Sequence, residues 1–384
     1  MKQVVRNKIK EIYNVKGENR YTLLVDGNSL LKTSLVSTKL NENGYDYGAI
    51  VTFFSIIKKI LVMRDFSRCY VFWDGHNSGI MRYRIYPEYK QNRENKNFTE
   101  SGLSEYDKYL EEYCRKVIQY SKQNKKEVKR EETDDERFER EKSIICQMCD
   151  ELFIRTYESD DVEGDDLIAF VVHNRKENEK IVIISSDVDL CQLICDDVCI
   201  YSMTKKAIIT NENFNKIYGY TNENVVLKKI FCGDSSDNIK AIKNLGEKTF
   251  FSLFPAAVTN KLSVGDIIDQ AKIINEQRAK EKKKPLKSCE NIINAITDGI
   301  QGEKVYEINE KIISLEKPML TEECEAFMKE FIDSELDPEN RTFENLYSII
   351  TKNKINEWIE CDKFGNFFGA FNELIYREKH FNLK

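Results

Sequence analysis

The sequence is poor in histidine, and this limits the kinds of metal centre that it can build. Its 384 residues include only three histidines, His76, His173 and His380. Cys146 and Cys149 form a single CxxC, whereas a zinc site needs a second such pair or a nearby histidine. We therefore interpret the CxxC as two small, buried side chains on one helix face rather than as a zinc site.

The sequence also lacks the signals of export and of membrane insertion. Its first residues, MKQVVRNKIK, contain no apolar segment of a signal peptide, and no apolar run approaches the roughly 18 residues of a membrane span. We therefore expect a cytoplasmic protein with no membrane partner, whose eleven cysteines remain free thiols. Cys191 and Cys195, one helical turn apart, are interpreted in the same way as the CxxC pair.

Basic residues do not exceed acidic ones in this chain. The net charge is −6 and the pI is about 5.5, which alone argues weakly against a nucleic-acid partner. A DNA-binding surface, however, needs a basic face rather than a basic total, and a dense carboxylate pocket would lower that total. The hydrophobic content of 41% permits a sizeable core, in one large domain or two modest ones.

Short apolar runs alternate with helical patterns in the first half of the chain. Residues 21–25, 69–73 and 181–185 are typical of buried parallel strands, and residues 48–63 are long enough for a buried helix. This alternation predicts an α/β fold with a central, mainly parallel sheet flanked by helices. After about residue 211 the pattern becomes helical, and we find no internal repeat.

A charged segment interrupts this alternation. Residues 94–142 are rich in Lys, Arg, Glu and Asp, and 125–142 contain almost no apolar side chain. We expect an exposed, salt-bridged helix or a disordered loop there, outside the core. A second basic stretch, AKEKKKPLK, occupies residues 279–287, where a solvated face is the plain interpretation.

Aspartates follow each of the three predicted strands. They are Asp26, Asp74 and the pair Asp187 and Asp189. Ligands of a doubly wound sheet bind beyond the carboxyl ends of its strands, so we expect these side chains to converge. Two further acidic groups occur in VEGDDLIAF and GDSSDN: Glu163, Asp165 and Asp166 in the first, and Asp234 and Asp237 in the second.

So many carboxylates can ionise together only if cations are present. Oxygen ligands select hard ions such as Mg²⁺ or Mn²⁺, and two such ions roughly 4 Å apart would clamp a phosphoryl group for in-line displacement. Any single aspartate after a strand is equally well explained as a turn residue or a helix N-cap. The metal prediction therefore depends on three strand ends together with two further clusters.

Five stretches resemble one family in the same order along the chain. They are LLVDGNSL (23–30), VFWDGHNSGIMRYRIYPEYKQNR (71–93), VEGDDLIAF (162–170), ISSDVDLCQLI (184–194) and GDSSDNIKAIKNLGEKT (233–249). Together they resemble the 5′-nuclease superfamily: flap endonucleases, the 5′-nuclease domain of bacterial DNA polymerase I, and the bacteriophage 5′-exonucleases and RNase H. Each motif alone is weak, whereas five in sequence are specific.

The resemblance implies two metal sites. The first would be held by Asp26, Asp74, Glu163, Asp165 and Asp166, and the second by Asp187, Asp189, Asp234 and Asp237. Asp160 and Asp161 imitate the acidic motif at a different phase, and the later cluster is favoured because LIAF follows it.

The resemblance also assigns the scissile phosphate to Lys90 and Arg93, one helical turn apart in YPEYKQNR. Tyr83, Tyr86 and Tyr89 share the same predicted helix. They could stack on unpaired bases, at roughly 1–3 kcal/mol each, or pack the helix on the sheet.

In this family the charged segment would form a helical arch, here about 94–145, over the active site. KNLGEKT resembles the hairpin of a helix–hairpin–helix element that grips duplex DNA, with Gly246 as the tight turn, Lys243 and Lys248 adding charge, and a K⁺ ion often bound.

The sequence thus predicts a nuclease core with its arch over 1–210, a helical duplex-binding region over 211–300, and a helical extension of unknown role over 301–384. We expect a free-standing, monomeric 5′–3′ exonuclease or flap endonuclease of replication or repair, using two Mg²⁺ or Mn²⁺ on branched or 5′-flapped DNA or RNA–DNA hybrids. Replisome proteins are expected partners, and the composition suggests a bacteriophage source. Two alternatives stay open: a PIN-type RNase, and a catalytically silent scaffold that binds branched DNA.

Overall fold

The fold is organised around a six-stranded sheet. The structure is a computed structural model, and it describes residues 20–40, 46–92, 133–295, 304–336 and 341–355, together with 369–371 and 374. The strands are β1 (Arg20–Asp26), β2 (Phe66–Trp73), β3 (Arg155–Glu158), β4 (Glu179–Ile184), β5 (Val198–Ser202) and β6 (Ala207–Ile209). Their order is β3-β2-β1-β4-β5-β6, and only β6 runs antiparallel to its neighbour. The mainly parallel sheet that the sequence predicts is therefore confirmed.

The strand order places a ligand-binding crevice at one defined position. From β1 the chain builds outward to β2 and β3, and it then returns to the other side of β1 with β4 and β5. The order reverses between β1 and β4, which is where open α/β sheets bind ligands beyond their carboxyl ends. Val25 of β1 lies opposite Ile184 of β4, so Asp26 and the residues after Ile184 meet at this crevice.

Helices cover both faces of the sheet and build a further helical region. The α-helices are α1 (Gly27–Ser34), α2 (Gly48–Leu61), α3 (Ile80–Ile85), α4 (Asp134–Glu151), α5 (Gly164–His173), α6 (Asn211–Tyr218), α7 (Val225–Cys232), α8 (Glu247–Leu253), α9 (Val264–Lys280), α10 (Lys287–Ile293), α11 (Val305–Ile313), α12 (Glu322–Asp333) and α13 (Phe343–Lys352). Short 3₁₀ helices occupy Asp189–Leu193, Asn222–Asn224 and Pro255–Val258.

Adjacent residues of β1 point into two separate hydrophobic cores. Leu23 and Val25 pack with α1, α2, α4 and α13, whereas Leu24 packs with α5 on the opposite face. This explains why β1 reads as a continuous apolar run, as strands buried on both faces do. A third core joins α7 to α11 beside the sheet.

Several sequence predictions need correction at their boundaries. The segment 94–142 was predicted to stay outside the core, and residues 93–132 lie outside the described part. From Asp134, however, α4 is continuous, and Glu141, Ile144 and Ile145 on it are buried. The predicted arch therefore cannot extend to residue 145, because the last part of that range belongs to a helix packed on the sheet.

The interpretation of the cysteines as helix-face residues holds for the CxxC pair on α4 and is wrong for Cys191 and Cys195, because Cys195 lies beyond the 3₁₀ helix and forms a β-bridge with Val198. Cys149 and Cys191 are buried, Cys146 and Cys195 are half-buried, and all four are free thiols. None of them belongs to a group of side chains that could hold a metal ion, as far as the described residues go. Within those residues, no helix has both the length and the apolar character needed to cross a bilayer.

Candidate active site

Asp26 lies at the centre of the crevice, where β1 passes directly into α1. Its carboxylate accepts hydrogen bonds from the Ser29 backbone N–H (2.9 Å) and the Ser185 hydroxyl (2.7 Å). The same Ser185 oxygen accepts from the Asp187 backbone N–H at 2.9 Å, which ties the end of β1 to the end of β4. Asp26 is thus a helix N-cap and also a member of the acidic crevice.

Asp74, two residues beyond Phe72 of β2, is held in place from two sides. Its carboxylate accepts from the Asn28 amide at 3.0 Å and from the Gly164 backbone N–H at 2.9 Å. A Cβ on Gly164 would lie 3.3 Å from a carboxylate oxygen of Asp74, so glycine allows the first turn of α5 to approach this closely. Gly75 is packed still more tightly, because a Cβ there would overlap the Ser159 carbonyl.

Glu163 brings two cations into the same crevice. Its carboxylate pairs with Arg82 at 2.7 Å and with the Lys90 ammonium group, and it accepts a hydrogen bond from the Tyr89 hydroxyl at 3.1 Å. Lys90 is buried, and its Nζ also lies 4.9 Å from the centre of the Tyr89 ring. The Glu163 carboxylate is therefore oriented by three neighbours.

Asp26 and Asp165 of this crevice have raised pKa values. Burial, reinforced by repulsion from Asp74 and Asp187, raises the pKa of Asp26 to about 7. Burial raises the pKa of Asp165 as well, with Asp187 as the largest of the repelling charges. These side chains ionise together only with difficulty unless positive charge is supplied.

Asp166 does not line the crevice, which differs from its predicted role as a metal ligand. It is 0% exposed and forms a two-pronged pair with Arg82, at 2.5 and 3.0 Å. The Met319 backbone N–H donates to the same carboxylate at 2.9 Å. Because its oxygens are already engaged, we propose that Asp166 positions Arg82 rather than binding metal.

A second acidic group lies beyond β4. Asp189, Asp234 and Asp237 each offer an oxygen to a cluster in which these atoms are within 4.8 Å of one another. Lys229 pairs with Asp189 and, at 2.5 Å, with Asp234. Asp187 belongs to the same loop and accepts from the Asp189 backbone N–H at 2.8 Å.

Lys229 contacts both Asp189 and Asp234, but the pKa values of these two carboxylates shift in opposite directions. Burial opposes ionisation of Asp234, but the hydrogen bonds and charge of Lys229 outweigh it and lower the pKa of Asp234 to about 2. For Asp189, burial and the neighbouring Asp187 prevail over Lys229 and raise the pKa to about 7. The second group is thus partly neutralised by the chain itself.

Members of both groups line one cavity of about 330 Å³. Its acidic lining comprises Asp26, Asp74, Glu163, Asp165, Asp187, Asp189 and Asp237. The cavity thus gathers seven carboxylate side chains, whose oxygens are the ligands that hard divalent ions prefer. These residues fit Mg²⁺ or Mn²⁺ well and fit a soft metal poorly.

The predicted helix that carries Lys90 is shorter than expected. α3 ends at Ile85, Tyr86 is extended, and Lys90 lies in a turn with φ +54°. Pro87 explains this, because the residue before a proline is restricted away from helical backbone. The Lys90 backbone N–H donates to the Asp237 carbonyl at 2.9 Å. Arg93 lies outside the described residues.

The three tyrosines of this region have different environments. Tyr89 is 3% exposed and its hydroxyl contacts Glu163, so its predicted stacking on bases is wrong for this structure. Tyr83 and Tyr86 are half-buried, and the Tyr86 hydroxyl donates to Glu88 at 3.4 Å. Stacking remains a prediction for Tyr83 and Tyr86 alone.

The GDSSDN…NLGEKT region forms helix, loop and helix, from α7 to α8. Lys243, Gly246 and Lys248 are all exposed. The left-handed residues of the loop include Asn238 (φ +56°) and Asn244 (φ +64°), whereas Gly246 (φ −85°) is the N-cap of α8, which corrects its predicted place as the tight turn. A Cβ on Gly246 would meet nothing within 4 Å, so the backbone there is open to a ligand.

Sequence reasoning missed several residues of the site. They are Asn28, Lys32, Arg82, Ser185, Gln192 and Lys229. Asn28 and Ser185 stand within two residues of a predicted aspartate, and this proximity was a usable signal. The partners of Arg82 lie more than 80 residues away along the chain, and no local pattern could indicate them.

Comparison with known proteins agrees with this architecture. The family described as "5′-3′ exonuclease, N-terminal resolvase-like domain" matches residues 21–219, just over half of the chain. The chain belongs to this family. The match covers β1 to β6, together with Asp26, Asp74, Glu163, Asp165, Asp187 and Asp189.

The alignments with curated relatives each cover only part of the relative. DNA polymerase I of Bacillus subtilis (strain 168) is 26% identical over 273 residues, which is 69% of this chain and 26% of the polymerase. The 5′-3′ exonuclease of Buchnera aphidicola subsp. Schizaphis graminum is 30% identical over 106 residues, 27% of this chain and 37% of that protein. The chain thus matches about a quarter to two-fifths of these relatives' lengths.

A solved structure supports the fold. The T5 5′-exonuclease with bound zinc ions superposes with a TM-score of 0.53 at 19% identity, covering 88% of this chain and 99% of that one. At this identity the likeness establishes the α/β fold with its helical additions and nothing further.

Proposed function

We propose that this protein is a structure-specific 5′-nuclease that hydrolyses phosphodiester bonds at or near the 5′ end of branched or flapped DNA. The observation that carries the proposal is the cavity at the β1/β4 switch point, whose lining is drawn from two separate carboxylate groups. Family membership supports the same reaction class. RNA–DNA hybrids are a second substrate of the same chemistry, and replication or repair is the proposed setting, in the cytoplasm and as a monomer.

We propose that two Mg²⁺ or Mn²⁺ ions bind here, one in each group. Asp26, Asp74, Glu163 and Asp165 would hold the first, and Asp187, Asp189, Asp234 and Asp237 the second. When bound, such ions supply an activated water molecule and neutralise charge on the scissile phosphate. The raised pKa values of Asp26, Asp165 and Asp189 support this, because divalent charge would relieve the repulsion among them.

Cationic side chains of the chain would orient the substrate. Lys90 lies at the cavity and is proposed to donate to the scissile phosphate, with Arg93 as its partner. Lys32 lines the same cavity from an exposed position on α1 and is proposed as a further phosphate contact. Lys243, Lys248 and the open backbone at Gly246 would hold duplex phosphates without reading sequence, and a K⁺ ion at this loop is part of the proposal.

The test is cleavage of a 5′-labelled flap duplex with Mg²⁺ and with EDTA, followed by mapping of product lengths. We expect Mg²⁺-dependent products near the junction; their lengths separate flap cutting from short exonucleolytic steps. A matched RNA-flap substrate ranks DNA against RNA.

Two results would overturn the proposal. Intact binding of branched DNA with no cleavage in Mg²⁺ or Mn²⁺ would favour the silent scaffold. Cleavage of single-stranded RNA alone would favour a PIN-type RNase.

A further inference from the structure

The end of α11 and the residues that follow it line one side of the acidic cavity, although they lie beyond the residues matched by the family. Ile312, Ile313 and Leu315 line the cavity beside the carboxylates. The matched region ends at residue 219, so this wall comes from a part of the chain that lies outside the family match. Residues 312–319, here called the wall segment, are tied to the site mainly through their backbone.

Arg82 connects the wall segment to the first acidic group. Its Nε donates to the Ile312 carbonyl at 2.8 Å, while its other nitrogens contact Asp166 at 2.5 and 3.0 Å and Glu163 at 2.7 Å. Asp166 in turn accepts from the Met319 backbone N–H at 2.9 Å. One guanidinium group, 4% exposed, therefore joins a cavity carboxylate to both ends of the wall segment.

Gln192 makes the equivalent connection to the second acidic group. Its amide nitrogen donates to the Asp189 carbonyl at 2.8 Å and to the Ile313 carbonyl at 3.2 Å. Its amide oxygen accepts from the Leu315 backbone N–H at 2.7 Å. The start of the 3₁₀ helix that carries Asp189 is thus held by the same wall segment.

The connection through Arg82 depends on the shape of the guanidinium group as well as on its charge. The planar fork of arginine can serve Asp166, Glu163 and the Ile312 carbonyl at once, whereas the ammonium group of lysine is a compact point charge that does not match this fork. Partners of this kind orient metal-binding carboxylates, and their loss typically lowers metal affinity about 10- to 100-fold. Neither Arg82 nor Gln192 belongs to the carboxylate set itself.

We propose that Arg82 and Gln192 are positioning residues, which use the wall segment as a common anchor to hold Glu163 and Asp189 for divalent ions. The inference rests on the proposed metal-dependent function. It assigns part of the carboxy-terminal third, predicted as an extension of unknown role, to the completion of the active site.

The test measures Mn²⁺ binding to the full chain by calorimetry, beside thermal unfolding without metal. Arg82→Met should weaken one Mn²⁺ site by about tenfold or more. Arg82→Lys should restore that affinity only in part. Gln192→Leu should lower the Mn²⁺ affinity of the other site by a smaller factor than Arg82→Met lowers that of the first.

Two backgrounds identify which ion responds. In Asp165→Asn, which removes a ligand of the first group, adding Arg82→Met should not change binding of the remaining ion. In the Asp234→Asn background, adding Arg82→Met should still lower the affinity for the remaining ion.

Arg155→Met is the matched control. Arg155 is also buried (3% exposed), and its guanidinium bonds the carboxy-terminal third at the Ser334 carbonyl (2.7 Å) and hydroxyl (3.1 Å), away from the cavity. We expect it to lower the melting temperature and leave both Mn²⁺ affinities unchanged.

The inference is overturned if Arg82→Met and Gln192→Leu lower the melting temperature as Arg155→Met does, without changing Mn²⁺ affinity. Full rescue by Arg82→Lys would also overturn it, because charge alone would then suffice. If the wild-type chain binds Mn²⁺ in the expected pattern but cleaves no substrate, the proposed nuclease function fails while the positioning role stands.

Discussion

The two acidic groups of the cavity obtain their electrostatic balance in different ways. In the first group, no basic side chain of the described residues pairs with Asp26 or Asp165, and burial raises the pKa of both. In the second, Lys229 contacts Asp189 and Asp234 directly and lowers the pKa of Asp234 to about 2. Within the first group, the resident cations Arg82 and Lys90 pair with Glu163, so Asp26 and Asp165 are the carboxylates that depend on an added cation.

Their structural supports differ as well. The first group is built from the ends of β1 and β2 and the start of α5, which are joined by hydrogen bonds such as that from the Gly164 backbone N–H to Asp74. The second is built from a 3₁₀ helix and the loop after α7. We infer that divalent charge relieves the electrostatic cost of burying Asp26 and Asp165 in the first group. In the second group, an ion bound by Asp189 and Asp234 must displace Lys229 or share these carboxylates with it.

The largest effect should come from removing one carboxylate of either group. Asp187→Asn should reduce turnover by ~100-fold or more, on the scale of losing one strong transition-state stabiliser. Binding of flap DNA should remain nearly intact, because the duplex contacts lie elsewhere. Single-turnover cleavage and binding in EDTA measure the two quantities.

Asp165→Asn is the companion change in the first group, and Asp160→Asn, at an exposed aspartate outside the cavity, is the control. A cleavage rate of Asp187→Asn equal to that of Asp160→Asn would remove Asp187 from the metal site.

The next effect concerns Lys90, which contacts both groups. Its side chain pairs with Glu163 and its backbone bonds the Asp237 carbonyl. Lys90→Ala should slow cleavage by about 100-fold, the lower end of the range for a positioned catalytic side chain, and weaken duplex binding far less. Lys240→Ala is the control, since Lys240 pairs with Glu88 in the same turn region but is exposed. Loss of binding without loss of single-turnover rate would make Lys90 a general backbone contact.

Local patterns predicted the parts of the site that lie on strand ends. Asp26, Asp74 and Asp187 each follow an apolar run, and the parallel strand order brings them to one edge. The strands β3, β5 and β6 were not predicted, because they are short, and β3 and β6 have few fully buried residues. Hydrophobic periodicity carries little signal in so few residues.

The residues that the sequence misplaced are those governed by distant contacts. The motif predicts that Asp166 binds metal, yet its carboxylate pairs with Arg82, which lies 84 positions earlier in the chain. Tyr89 was assigned to a helix face, but Pro87 ends the helical backbone and turns Tyr89 inward towards Glu163. The proposed anchoring role of residues 312–319 could not be predicted for the same reason. These residues contribute backbone groups, which carry no sequence signature.

A smaller effect should appear in the pH dependence of stability. The raised pKa of Asp26, about 7 against 3.8, stabilises the metal-free fold below pH 3.8, and this contribution is lost as the pH rises through about 7. Mg²⁺ needs the deprotonated carboxylates, so its stabilising effect should be larger at about pH 8 than at about pH 6. Thermal unfolding with Mg²⁺ and with EDTA at both values measures this.

Two variants separate the groups in that experiment. Asp26→Asn should reduce the pH dependence of thermal stability, because it removes a group that titrates near pH 7. Asp234→Asn should leave it largely unchanged, since the contribution of Asp234 is present above pH 3.8 and is lost only as the pH falls through about 2. Equal flattening by both variants would contradict the electrostatic difference between Asp26 and Asp234.

The smallest effect should arise outside both groups, at the loop before α8. Lys243 and Lys248 are exposed and are not among the residues that line the cavity. If each neutralises one duplex phosphate, Lys243→Gln and Lys248→Gln should each reduce the salt dependence of binding by a slope of roughly one, equally for all sequences. Mg²⁺ affinity should not change in either variant, because both groups keep their carboxylates and Lys229. A variant that altered Mg²⁺ affinity as well would show that the duplex-binding loop and the second acidic group act as one unit, and the contrast between the groups would then have to include this loop.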